Sequence, residues 1–516
     1  MERERSVIAE EIRRQDPSSE ARSRSATMPR GRDTVHSAGP GSSGAGFADE
    51  RVSLRLVDPL IAELVDREAK RQIEKIIMIP SESVPNPAVL EALASSFTSL
   101  YAEGYAPSRM RRSSLDDLAH VGAQLEMHRQ RGNRRFYQGA EFADLVEAIA
   151  ERRTAACFAT ESCLADRIYV NVQALSGSAA NLAVYEALLE PGDTLMAMAL
   201  TEGGHLTHGS PCSASGKRHR TVFYGTAAET GRLDYDAIRE LALEHRPKIL
   251  VGGFTSYPWR PDWTKFREIA DEAGTILLAD IAHTAGMVIG GIYPSPVGIA
   301  DVVTFTTHKT LCGPRGAVIL TTDEEIARRV DKAVFPGLQG GPHVNKIAAI
   351  AVAMQLARGD GFRTLQQRIV ENAQALAAAL ERNGLTLAYG GTDTHLLLVD
   401  LRPLGLKGSL AARALDRAGI VCNRNVIPGD RSGADPHGIR LGTTWASQRA
   451  MGRDEMVDLA EIIARVLHAL ARHAAPDNAD DLLSDPMVSE LAQAAGDVRA
   501  LIARVDPAGR GVAALS

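Results

Sequence analysis

Apolar positions along this chain follow first one period and then another. Between residues 55 and 100, Leu60, Ile61, Leu64 and Val65 recur at helical spacing, which predicts amphipathic helices that pack on something larger. From about residue 145 to 340, short apolar runs (Thr194–Leu200, Thr221–Tyr224, Ile249–Phe254, Ile276–Asp280, Val302–Phe305 and Ala317–Leu320) are separated by helical patterns. That alternation predicts an α/β fold with a largely parallel sheet covered on both faces. Residues 345 to 384 read as long helices leading to a smaller α+β domain, with strands at His395–Asp400 and Ile439–Gly442 and a last amphipathic helix at Asp454–His473. Pro476 to Asp481 breaks the pattern before a short C-terminal helical piece. The expected organisation is a tail over 1–50, a helical arm over 51–100, a large domain over 101–344, bridging helices and a small domain over 345–475, and a tail over 476–516.

Composition narrows the classes. The chain has 516 residues, 45% apolar and 24% charged, enough for several domains' worth of core. A net charge of -6 offers no basic field for nucleic acid. Five cysteines, scattered and without CxxC spacing, indicate neither a disulfide framework nor a zinc site, and a reducing cytoplasmic setting fits them. The first fifty residues, rich in Arg, Ser and Gly, carry too little apolar surface to offset the entropy of ordering and read as disordered. They have no secretory h-region, and Glu2, Glu4, Glu10 and Glu11 argue against a transit peptide. No run reaches the roughly 18 apolar residues of a membrane helix.

Candidate chemistry sits at the ends of the predicted strands. Lys309, in Thr306-Thr307-His308-Lys309-Thr310-Leu311, follows the apolar run Asp301–Phe305 and precedes a Gly-Pro turn. A lysine in that position is ordinarily a solvated surface residue. Held away from water, however, its charged form is disfavoured, and the neutral amine can form a Schiff base with an aldehyde cofactor. Asp280 closes the run Ile276–Asp280, with His283 three residues on. A carboxylate to hold a pyridine nitrogen and a lysine for the aldehyde carbon are the two partners pyridoxal 5'-phosphate needs. Ser176-Gly177-Ser178 opens a helical pattern, where backbone N–H groups and the helix dipole favour a phosphate. Alone, each has an ordinary reading as a helix cap or turn former.

In chain order, Tyr101-Ala102-Glu103-Gly104-Tyr105, Ser176-Gly177-Ser178, Gly203-Gly204-His205-Leu206-Thr207-His208-Gly209, Asp280-Ile281-Ala282-His283, Thr306 to Leu311, Gly313-Pro314-Arg315-Gly316, Val334 to Pro342 and Gly438 to Thr443 resemble serine hydroxymethyltransferases over roughly residues 55 to 470. The resemblance implies a fold-type I, aspartate aminotransferase-like pyridoxal-phosphate enzyme of one-carbon metabolism. It interconverts L-serine and glycine with tetrahydrofolate and works as a homodimer or dimer of dimers. It also implies the following roles. Lys309 carries the cofactor, Asp280 pairs with the pyridine nitrogen, His205 stacks on the ring, and Thr255 and His283 lie near its 3′ oxygen. Ser176, Gly177 and Ser178 hold the phosphate, assisted by Gly340, Gly341 and Tyr101 from a neighbouring subunit. Arg440 takes the substrate carboxylate, with Ser81 assisting. Glu103 and Tyr137 manage the proton at the hydroxyl. Glu103, Phe136, Leu200, Leu206 and Asn425 contact folate. The His205/His208 pair also has the spacing of two zinc ligands, but no third ligand accompanies it.

The chain departs from the family pattern in places. Ser108 to Arg134 intervene between Tyr105 and Phe136-Tyr137-Gln138-Gly139, Cys312 replaces an arginine, and Gly442-Thr443-Thr444-Trp445 replaces Gly-Thr-Pro-Ala. The insert reads either as a solvated loop or as a remodelled substrate entrance. Because closing a shorter loop costs little, exchanging it for a Gly/Ser link is expected to be tolerated. These departures keep open a folate-independent threonine aldolase or transaldolase and, from another class, a non-catalytic cofactor-binding homologue. Serine, 2-methylserine and threonine remain alternative substrates.

Overall fold

A computed structural model describes residues 53–131, 135–431, 433, 436–473 and 485–506. The expected tail over 1–50 and the break at Pro476–Asp481 lie outside them. The chain divides into Met1–Ala62 and Glu63–Ser516; apart from the helix Leu54–Val57 and the first residues of the helix Pro59–Glu74, the elements named below lie in the second unit. The helix Pro59–Glu74 leaves Leu60, Ile61, Leu64 and Val65 exposed.

Seven strands build the main sheet: β1 Tyr169–Asn171, β2 Thr194–Met198, β3 Arg220–Tyr224, β4 Ile249–Gly253, β5 Ile276–Asp280, β6 Val302–Thr306 and β7 Ala317–Thr321, in the order β1-β7-β6-β5-β4-β2-β3. The run from β6 to β3 is parallel, while β7 is antiparallel to both its neighbours. β1 therefore points the same way as β6, and its carboxyl end opens on the same edge. The strands are β-branched and aliphatic, and β4, β6 and β7 are buried at every position, as a sheet covered on both faces requires.

The principal helices are α1 Glu141–Phe158, α2 Gly177–Leu188, α3 Glu324–Lys332, α4 Val344–Ala357, α5 Asp360–Arg382, α6 Arg453–His473 and α7 Asp485–Val505. A second, antiparallel sheet contains β8 Thr386–Leu387, β9 Leu396–Asp400, β10 Asn423–Asn425 and β11 Gly438–Gly442, in the order β10-β11-β9-β8.

The C-terminal piece is longer than the sequence pattern suggests. α7 has 21 residues and buries Met487, Leu491, Ala494, Val498, Leu501 and Ile502 in the same apolar cluster as Leu459, Ile463 and Leu467 of α6. Each large aliphatic side chain so buried contributes about 1.5–3 kcal/mol. A chain ending before Asp485 is therefore expected to melt well below the full-length protein; a midpoint within roughly 2 °C of it would show that α7 adds nothing.

The insert is not a solvated loop. Its described part forms the helices Ser108–Arg111, Leu115–Ala119 and Val121–Arg131, and Met110 and Leu118 are buried in a cluster with Leu145 and Ala148 of α1. Its base is pinned shut: the Phe136 N–H donates to the Glu103 carbonyl (3.0 Å), and buried Arg135 donates to the carbonyls of Ala102 (2.7 Å) and Gly104 (3.0 Å) and pairs with Asp144 and Glu147. Arg111 pairs with Glu151 of α1 (2.8 Å) and Asp331 of α3 (2.6 Å). Burial pushes the Glu151 carboxyl up, and Arg111 opposes that shift. Exchanging the insert for a Gly/Ser link would strand Glu151 without its cation, a cost that loop entropy alone overlooks.

Candidate active site

Every strand-end residue singled out in the sequence opens on one edge of the sheet. Ser176 lies between β1 and α2, His205 follows β2, Thr255 follows β4, Asp280 ends β5 and Lys309 lies three residues past β6. In a doubly wound sheet that edge is where ligands bind.

Asp280 is 9% exposed and fully engaged. Its Oδ2 accepts from His208 Nε2 (2.9 Å) and Asn181 Nδ2 (2.8 Å), and its Oδ1 accepts from the Ala282 N–H (2.9 Å). Burial alone would raise this carboxyl's pKa. The hydrogen bond from His208, with the neighbouring His205 and the amide of Asn181, outweighs it and holds Asp280 well below the ordinary carboxylate range. The histidine tautomers follow from the same network. His208 Nδ1 accepts from the His205 N–H (3.4 Å), which leaves the proton on Nε2 facing Asp280. His205 Nδ1 accepts from the Thr207 N–H (3.2 Å), so its own proton sits on Nε2. Burial lowers the His205 pKa to about 4, which keeps the ring neutral near pH 7.

Lys309 is buried, and desolvation, which outweighs the pull of Asp280, brings its pKa down to about 8. The neighbouring turn is tight: Cys312 takes a left-handed φ of 58°, and Ser83 Oγ donates to the His308 carbonyl (2.8 Å). The Ser176 side chain caps α2 by accepting from the Ala179 N–H. A Cβ on Gly177 would lie 2.7 Å from Thr306 Cγ2, so the loop beneath the helix N-terminus admits no side chain there.

Arg440, on β11, is 8% exposed and reaches across to the loop after β4. One NH1 bond runs to the Thr255 carbonyl (2.8 Å) and the Nε donates to Asn423 Oδ1 (3.2 Å). Among the described residues no carboxylate pairs with it, and burial lowers its pKa to about 10. Asn425 Nδ2 donates to Ser256 Oγ (3.3 Å). Ser81 lies on the Pro80–Ser81 turn, which the backbone of Gly442 touches so closely that a Cβ there would meet Pro80 at 2.4 Å. Burial lowers the pKa of His283, and its Nδ1 lies 3.2 Å from His395 Nε2.

A second group of named residues gathers separately. Tyr101 and Tyr137 rings meet edge-on at 4.9 Å, and Phe136 meets Phe335 at 5.8 Å. A Cβ on Gly341 would lie 3.2 Å from the Tyr101 ring, and one on Gly340 3.2 Å from Glu103 Oε1. Desolvation, followed by the charge and hydrogen bond of Glu103, keeps the Tyr137 phenol above its ordinary pKa. Tyr101 is 58% and Phe136 76% exposed, and Leu200 and Leu206 are exposed too. Trp445 is absorbed into the interior beside Ile77 and Val84.

Three contributors were missed: Asn181, His208 and His395. Asn181 had a legible signal, as a lone amide in an otherwise apolar helical run. His208 was read only as half of a zinc-like pair; no group of three or more His, Cys, Asp or Glu side chains among the described residues could hold a metal. Among the same residues no helix is long and apolar enough to cross a membrane.

A buried anion at a strand end, a buried amine with a lowered pKa, a neutral imidazole, a helix N-terminus and an arginine with no carboxylate partner among the described residues are groups that could hold pyridoxal phosphate and an amino acid. The family model for serine hydroxymethyltransferase matches residues 54–120 and 113–463. The serine hydroxymethyltransferase of Acidothermus cellulolyticus is 48% identical over 425 residues, covering 82% of this chain and 92% of that one. Those of Sorangium cellulosum (48% over 409 residues, 79% and 89% covered) and Desulfotalea psychrophila (47% over 421 residues, 81% and 91% covered) agree. With the family model running from residue 54 to 463, across every strand end described above, and relatives 47–48% identical over about four fifths of its length, this chain belongs to the serine hydroxymethyltransferase family.

Proposed function

We propose that this protein transfers the hydroxymethyl group of L-serine to tetrahydrofolate, leaving glycine, with pyridoxal phosphate as cofactor. The observation that carries the proposal is the buried trio of Lys309, Asp280 and carboxylate-free Arg440. When bound, the cofactor supplies an electron sink for the pair released as the serine Cα–Cβ bond breaks. Asp280 stays anionic and favours a protonated pyridine nitrogen. Neutral His205, fixed by Thr207, offers a flat face that sets the ring's tilt. Ser176, Gly177 and Ser178 at the α2 N-terminus would take the phosphate, and Thr255 and His283 would serve the ring's hydroxyl. Arg440 forks onto both oxygens of the α-carboxylate, with Ser81 beside it. Glu103 and Tyr137 move the hydroxyl proton, while Phe136, Leu200, Leu206 and Asn425 wall the folate.

The exposure of Tyr101, Phe136 and the apolar face of Pro59–Glu74 supports a homodimer, in which Tyr101, Glu103, Gly340 and Gly341 serve the partner's site.

Two measurements test this reading. Borohydride reduction of the purified protein, followed by peptide mapping, is expected to leave a pyridoxyl group on Lys309. Incubation with L-serine is expected to give glycine only when tetrahydrofolate is present. Faster cleavage of L-threonine, indifferent to tetrahydrofolate, would instead favour the aldolase reading.

A further inference from the structure

A cavity of about 500 Å³ lies between the insert and the large domain, away from the residues around Lys309. The volume falls in the usual range for a small-molecule site, about 300–1,000 Å³. The insert supplies one wall, through Ser108, Arg111 and Arg112. The family match breaks into two pieces there, at 54–120 and 113–463.

The walls are preformed. Arg111 is locked between Glu151 and Asp331; Asn171 Nδ2 donates to Asp331 Oδ1 (2.8 Å) and to the Tyr105 hydroxyl (3.2 Å), which in turn donates to the Asp331 carbonyl (2.6 Å). Four aromatic residues line the space, Tyr105, Phe136, Tyr169 and Phe335. Two cations on the lining have no carboxylate partner among the described residues. The Arg112 guanidinium sits 4.5 Å over the Tyr169 ring, with one N–H given to the Asp166 carbonyl and the rest of its fork available. Lys332, at the end of α3, is the other. Arg328 is paired with Glu325, and Glu324 is the one lining carboxylate outside an ion pair among the described residues.

Aromatic walls with a planar guanidinium and an ammonium at the edge suit a ring that carries carboxylates: the ring stacks, and the fork takes two oxygens at once. We propose that this cavity binds an aromatic carboxylate. Such a group has two sources, the benzoyl-glutamate end of the folate acceptor, which rests on the function proposed above, or a free aromatic acid acting as an effector.

The experiment is calorimetric titration of the cofactor-loaded, full-length protein with 4-aminobenzoyl-L-glutamate, with Arg112→Glu/Lys332→Glu for comparison. Saturable binding to the wild type, weakened at least about tenfold by the double charge reversal with glycine binding unchanged, is expected. If the acceptor is the source, the probe competes with tetrahydrofolate and the variant raises its KM with kcat unchanged. If a free acid is the source, the probe binds without competing. Absent binding to the wild type, including the case of a second copy of the chain covering the cavity, or undiminished binding to the variant, overturns the proposal. A protein that ignores tetrahydrofolate yet binds the probe would sink only the folate reading.

Discussion

Lys309→Ala is expected to lower serine turnover by about 10²–10⁴-fold, the scale of losing a positioned proton-transfer group, and to remove the lysine at which borohydride fixes the cofactor. The size of the loss follows from what burial does to the amine. A pKa of about 8 leaves roughly half the groups neutral at pH 8, against about 0.3% for a solvated lysine. The same shift predicts a stability signature. In the cofactor-free native state the amine releases its proton near pH 8, while in the unfolded chain it holds on until about 10.5. Between those values the unfolded chain binds more protons, so the stability contributed by this group rises with pH and is lowest below 8. From pH 7.5 to 9.5 the rise is about 2 kcal/mol. Denaturant melts at the two pH values, wild type against Lys309→Ala, should show this increment in the wild type alone; equal pH dependence in both would mean the lysine is solvated.

Arg440→Met is expected to abolish measurable amino-acid binding while leaving the cofactor-free protein about as stable as the wild type. An arginine whose pKa burial brings down to about 10 carries roughly 3 kcal/mol of unfavourable charge burial. Methionine removes that cost but leaves the Thr255 carbonyl and Asn423 Oδ1 without a donor, a penalty of similar size. On the proposed function, the incoming α-carboxylate would supply the counter-charge that the protein withholds. Arg440→Lys keeps the charge but not the fork, and is expected to weaken glycine binding by about 1.5–3 kcal/mol, read from titration of the cofactor's absorbance. A destabilisation of about 3–5 kcal/mol in the methionine variant would show that Arg440 is already paired within the protein.

Much of the sheet was legible because its strands are continuous apolar runs closed by polar residues. All six runs read between Thr194 and Leu320 correspond to β2 to β7. β1 escaped because Tyr169–Asn171 is only three residues long and merges with the loop that leads to Ser176. β8 and β10 are two and three residues long, held by pairing with neighbours and not by any pattern of their own. The insert misled because its charges suggested solvent, whereas half-buried Arg111 pairs with Glu151 and Asp331, 40 and 220 residues along the chain. Lys309, Asp280 and Arg440 were found through motifs; Asn181 and His395 act through contacts 99 and 112 residues away, which no local spacing records.

Asn181 gives α2 a further consequence. Its amide donates to both Asp280 and Thr207 and accepts from Thr304 Oγ1, so the carboxylate proposed for the pyridine nitrogen is located from the same helix whose first turn is proposed to take the phosphate. Five residues separate Ser176 from Asn181, about 7.5 Å of helical rise. The helix thus acts as a ruler that compares the two ends of whatever lies between them. A cofactor analogue lengthened by one methylene in its phosphate arm would satisfy one mark and miss the other.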